Sequence, residues 1–85
     1  MFYCYILQSE LNGAYYVGSC QNIDARLTQH NKFLVPATKR YVPWTIVYKQ
    51  EFNTLKDARG EELKIKSWKK RSAIEKLTKT FQNFK

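Results

Sequence analysis

The 85-residue chain reads as a small α+β domain: a three-stranded antiparallel sheet flanked by about three helices, in the order β-β-α-β-α-α. Three observations predict this. Two short aromatic and β-branched runs, FYCYIL and YYVGS, flank a polar turn around Asn12-Gly13, and Asn-Gly readily takes the positive φ angles of a tight hairpin. After Gly18 the pattern becomes helical, with Ile23, Leu27 and His30 at spacings of four and three. A third run, WTIVYKQEF, is dense in strand-forming residues and is followed by two more helical stretches.

Residues 2–8 and 14–19 are the expected paired strands, with Tyr3 and Tyr5 on one face of the first and Cys4 and Ile6 on the other. Gly18 is expected to end the second strand, where a small residue admits a close approach. Asn22 is a suitable N-cap for a helix over roughly 23–30, in which Arg26 and His30 project from one side. Residues 31–43 read as a loop containing Pro36 and ending at Pro43. The third strand spans 44–52, and Asn53-Thr54 supplies cap chemistry for a helix over 55–67 that tolerates Gly60. A final basic helix covers roughly 70–80, with Ser72 near its start and Ile74 and Leu77 as apolar contacts.

A chain of this length buries only roughly 60–65% of its unfolded surface and is expected to form one domain, residues 1–85. Its net charge is +8, and residues 54–85 carry ten basic against four acidic groups. That excess suits a polyphosphate partner, because binding releases condensed counterions; a solubilising surface or an anionic membrane is the competing use. In the loop, Lys32, Lys39 and Arg40 sit among Phe33 and Tyr41, giving charge for phosphates and rings for bases, or simply an aromatic-anchored loop. Cys4 and Cys20 lack metal-ligand spacing; a disulfide across the hairpin is possible, but a reduced cytosolic pair is expected. Neither a signal peptide nor a membrane-spanning run is recognisable, so a cytoplasmic protein with no membrane association and no obligate protein partner is expected.

The second long helix contains an anomaly. At 100° per residue from Leu55 as zero, Ala58 falls at 300°, Glu62 at 340° and Ile65 at 280°, so Glu62 is expected in the middle of the stripe that faces the core. A carboxylate there needs a cation, hydrogen bonds or a metal. A salt bridge to Arg26 or to a lysine is the structural explanation, and a metal site the functional one. The other candidates also have ordinary explanations. Strand tyrosines usually pack, Arg26 alone is a surface charge, and His30 alone is a helix C-terminal cap whose cation complements the dipole.

The ordered set Tyr3-Cys4-Tyr5, Tyr16-Val17-Gly18, Arg26, His30 and Glu62 resembles the GIY-YIG nuclease domain. The closest likeness is to small single-domain members related to the N-terminal nuclease of bacterial excision repair. The first signature lacks the family's Gly and Ile; the second matches closely. Thr38 and Pro43 resemble a Thr-x-x-x-x-Pro-like segment, and Glu62 to Trp68 resembles a Glu-x-x-x-Lys-x-Trp-like run. A later asparagine of larger members has no clear match, Asn83 lying close to the end.

The resemblance implies a metal-dependent endonuclease acting on phosphodiester bonds, with structure-preferring DNA cleavage and a role in DNA repair. It implies that Glu62 holds one Mg²⁺ or Mn²⁺ and that Arg26 stabilises charge on the phosphate. Tyr5 would be the general base and Tyr16 would position water or phosphate, in roles that can be exchanged. His30 would contact the phosphate or orient a tyrosine hydroxyl, and Gly18 is the motif's structural glycine. Lys32, Lys39, Arg40, Lys66, Lys69 and Lys70 are the expected nucleic-acid contacts. The alternative is a non-catalytic nucleic-acid-binding module on the same fold.

Overall fold

The computed structural model describes residues 1–68 and 70–83. Strands β1 (Phe2–Ser9), β2 (Tyr15–Cys20) and β3 (Trp44–Phe52) form one antiparallel sheet in the order β2-β1-β3. Helix α1 (Ile23–Asn31) follows β2, a single 3₁₀ turn (Lys39–Tyr41) precedes β3, and α2 (Leu55–Ser67) and α3 (Arg71–Asn83) complete the chain. The expected order is therefore the observed one.

β1 is central and covered on both faces, so Cys4, Tyr5, Ile6 and Leu7 are all buried. A strand enclosed on both sides reads as a continuous apolar run, which is what FYCYIL is. Tyr5, Leu7, Cys20 and Trp44 pack with Ile23 and Leu27 of α1 on one face. Cys4, Ile6, Val17 and Tyr48 pack with Ile65 of α2 and with Ile74, Leu77 and Phe81 of α3 on the other. Cys4 and Cys20 thus lie in opposite layers, both free thiols, which rules out the disulfide across the hairpin.

The hairpin turn is longer than a two-residue Asn-Gly turn. Only Gly13 takes a positive φ, of 76°. Ser9 Oγ accepts from the backbone N–H groups of Leu11 (3.1 Å) and Asn12 (3.2 Å), and Asn12 Oδ1 accepts from Ala14 N–H. Side chains thus do the work that mirror-image turn geometry would otherwise do. Arg71 ties α3 to this turn, donating to Gly13 O at 2.8 Å with its guanidinium 4.6 Å from the centre of the Tyr15 ring.

Gly18 lies inside β2 rather than at its end, paired across the ladder with Tyr5. Asn22 caps α1 by accepting from Ala25 N–H, and Thr54 caps α2 by accepting from Asp57 N–H, as the sequence predicts. α2 runs unbroken through Gly60. α1 closes with paired bonds from Phe33 N–H to His30 O and from Leu34 N–H to Gln29 O, placing Phe33 at φ 64°. This is a Schellman closure whose left-handed position usually belongs to glycine.

Candidate active site

An open cleft of about 420 Å³ lies over β2 at the edge of the sheet, with α1 on one side and α2 on the other. Tyr5, Tyr16, Gly18, Ser19, Arg26, Arg59 and Glu62 line it. Four of the five predicted catalytic residues therefore share one cavity, and the fifth, His30, stands directly behind it. The strand pleat explains the convergence. Tyr16 and the Tyr5–Gly18 pair belong to the α1 layer, Ser19 faces α2, and only the sheet edge lets the two faces meet.

His30 is 1% exposed and lies between two hydroxyls. Its Nε2 is 3.1 Å from Tyr5 Oη and its Nδ1 is 2.7 Å from Thr38 Oγ1. The Thr38 hydroxyl also donates to Val35 O at 3.3 Å, beside the backbone N–H groups of Thr38 and Lys39 at 3.1 Å. A neutral imidazole donates through one ring nitrogen and accepts through the other, so His30 links the Tyr5 and Thr38 hydroxyls in one hydrogen-bonded chain. Burial, and then the Arg26 guanidinium, hold the imidazole pKa below its ordinary 6.5, so the ring is neutral at neutral pH. An exposed cationic cap at the end of α1 is therefore not what His30 provides.

Burial pushes the Tyr5 hydroxyl well above its ordinary 10.0; Tyr16, Cys20 and Glu62 add to the rise and Arg26 opposes it. The Tyr5 and Tyr16 ring centres are 6.5 Å apart, and Tyr16 stands edge-to-face with His30 at 5.0 Å. Tyr16 remains half-buried. Arg26 is half-buried too, and its guanidinium makes no ion pair or hydrogen bond among the described residues. A cation partly removed from water and left unpaired suits an anionic partner.

Glu62 sits at the flank of the core-facing stripe, not in its middle. Ala58 and Ile65 are the fully buried residues of α2, while the Glu62 side chain is 18% exposed and overhangs the cleft. Ser19 Oγ donates to one carboxylate oxygen at 2.7 Å, and Lys66 Nζ pairs with the other at 2.6 Å. The expected lysine salt bridge is thus present, with a partner that is itself half in solvent. A lone carboxylate on an open polar cleft fits a hard cation that keeps several waters and takes the rest of its shell from substrate phosphate. It provides no protein cage, and the described residues contain no cluster of three or more His, Cys, Asp or Glu.

Two polar lining residues, besides the apolar Leu63, were not expected from the sequence. Arg59 stands one turn before Glu62 on α2, but as an exposed cation it carries no signal beyond that neighbouring position. Ser19 follows the second motif directly and had no distinguishing signal. Among the expected nucleic-acid contacts, Lys32, Lys39 and Arg40 are exposed on the connection between α1 and β3. Lys66 and Lys70 line a neighbouring groove with Arg71 and Tyr15. Lys69 lies outside the described residues.

A family model described as the GIY-YIG catalytic domain matches residues 1–77. Among solved structures, the chain is similar to the solution NMR structure of UPF0213 protein BH0048 from Bacillus halodurans, at 25% identity and a TM-score of 0.58. That match covers 94% of this chain and 85% of the other. No curated protein matches the chain.

Proposed function

This chain belongs to the GIY-YIG family, and on that premise we propose that it hydrolyses phosphodiester bonds in nucleic acid as a divalent-metal-dependent endonuclease, with structured DNA as its preferred substrate. The observation that carries this reading is Arg26. Its guanidinium is held in the cleft without an anionic partner among the described residues, opposite the Glu62 carboxylate and beside two tyrosines. A phosphate is the anion that such a planar fork suits best.

Arg26 binds the scissile phosphate and stabilises the charge that develops on its oxygens, with Arg59 providing a second cation at the rim. Tyr5 takes the proton of the attacking water and Tyr16 positions water or phosphate; the two roles can be exchanged. For Tyr5 to act it must first lose its own proton, which burial resists and Arg26 favours. His30 Nε2–H donates to the Tyr5 oxygen and supports the phenolate. Glu62 would hold one Mg²⁺ or Mn²⁺. A bound cation there would neutralise phosphate charge, assist departure of the leaving oxygen and favour ionisation of a nearby tyrosine. Lys66, now paired with Glu62, is released to contact substrate when that carboxylate takes a metal.

The second reading is a nucleic-acid-binding module without catalysis, which the single carboxylate and its lysine partner favour. Incubation with single-stranded, nicked and branched DNA and RNA in Mg²⁺ or Mn²⁺ separates the two. The nuclease requires cutting that disappears in both Glu62→Ala and Arg26→Ala. Tight binding with no cutting by the wild type would establish the module.

A further inference from the structure

Phe33 has a backbone conformation that a bulky residue adopts only at a cost, yet its ring faces solvent. It takes φ 64° in the position that closes α1, and it is 61% exposed. Glycine fits that position without penalty. A phenylalanine that neither relaxes its backbone nor fills the core has no structural reason to be there, and strain of this kind marks sites of function.

Its surroundings indicate what the ring meets. No acidic residue occurs between Asp24 and Glu51, an interval that carries Arg26, Lys32, Lys39, Arg40 and Lys49. Lys32, Lys39 and Arg40 are exposed and make no ion pair among the described residues. The adjacent Leu34 is 67% exposed and Tyr41 40%. So small an apolar tip cannot supply the roughly 800 Å² per partner of a stable protein interface. An exposed aromatic ring on the same connection as three exposed, unpaired cations fits nucleic acid, in which phosphates satisfy the charge and a base satisfies the ring.

The tip is also fixed to the cleft. Phe33 N–H donates to the carbonyl of His30, whose imidazole holds Tyr5. Arg26 stands five residues before the end of α1 at Asn31, about 7.5 Å along the helix axis or about two base steps of a stacked strand, and Phe33 follows just beyond that end.

We propose that Phe33 is a base-stacking residue that receives an unpaired base flanking the scissile phosphate, so that the substrate is nucleic acid with unstacked nucleotides beside the cleavage point. This rests on the nucleic-acid reading of the cleft and adds a subsite and a substrate preference to it. The surface works by the sequence-tolerant stacking that every base permits, with Lys32, Lys39 and Arg40 holding the strand's phosphates.

The test compares wild type, Phe33→Gly and Phe33→Tyr in chelator, so that binding is read without cleavage. The probes are a forked DNA oligonucleotide with 2-aminopurine in its unpaired arm and a fully paired duplex of the same length. Phe33→Gly should melt about 4 °C or more above wild type, because the strain is gone. It should nevertheless bind the fork about tenfold more weakly, with duplex affinity unchanged. The wild type and Phe33→Tyr should quench the 2-aminopurine, and Phe33→Gly should not. A gain in stability with a loss of fork binding is an outcome that a purely structural phenylalanine does not produce. Equal binding of the fork by wild type and Phe33→Gly overturns the proposal, as does an equal loss on fork and duplex. Failure of the wild type to bind either probe at low salt overturns the nucleic-acid reading, and this subsite with it.

Discussion

Tyr5 and Gly18 face each other across the β1–β2 ladder so closely that a Cβ on Gly18 would stand 2.5 Å from the Tyr5 hydroxyl oxygen and 2.7 Å from its ring. The glycine is there for the space it leaves, since its φ is not in the left-handed region. Gly18→Ala should displace the Tyr5 ring, break its contact with His30 and abolish cleavage. Over-packing of a buried contact costs about 1–3 kcal/mol, and chemical denaturation would measure it. Wild-type stability with intact cleavage would show that the ring is freer than the geometry indicates.

Thr38 should control which nitrogen of His30 carries the proton. Its hydroxyl is fully buried and stands 2.7 Å from Nδ1. Thr38→Val removes that partner and leaves a buried ring nitrogen unsatisfied, at about 1–3 kcal/mol. ¹⁵N NMR of the imidazole should report Nε2–H in the wild type and a shift toward Nδ1–H in the variant. A wild-type spectrum already dominated by Nδ1–H would reverse the assignment.

Protonation of His30 sets an acid limit to stability. Its folded pKa is depressed below 6.5, so below pH 6.5 the unfolded chain binds a proton that the folded chain refuses. Unfolding free energy therefore rises with pH through that window and is lost as pH falls. His30→Gln should remove this component. Urea titrations across the window, comparing the slopes of wild type and variant, would decide the point, and identical slopes would count against it.

Lys66 should act as a competitor for the metal. The pair is of the i,i+4 type, with the lysine side chain 48% exposed, so Lys66→Gln should change stability by less than about 0.5 kcal/mol. The freed Glu62 should bind Mn²⁺ more tightly, measured by calorimetry without substrate. Unchanged or weaker Mn²⁺ affinity would place the ion elsewhere.

Strand and helix order were readable because short aromatic and β-branched runs give way after Gly18 to apolar spacings of four and three, and because Asn22 and Thr54 are caps in fact as well as in pattern. The site was readable as far as residue identity and spacing reach. Glu62 stood out because a carboxylate beside Ala58 and Ile65 conflicts with burial. What escaped depends on register and solvent, which spacing does not encode. An exposed Arg59 looks like any helix-surface charge, and Ser19 acquires meaning only once α2 is seen to overhang β2. Phe33 was legible as a ring among basic residues, but its left-handed backbone was not, because such a helix closure is ordinarily announced by glycine.

The cleft over β2 has one further consequence. An outer strand normally risks recruiting another sheet through its free backbone groups. Here that border is the floor of the site, so pairing through it and admitting a substrate exclude one another. Crowded chains that joined along this border would silence themselves, and an abundant substrate would keep them apart. Activity per molecule should therefore fall as protein concentration rises at low substrate, and recover when nucleic acid is added in excess.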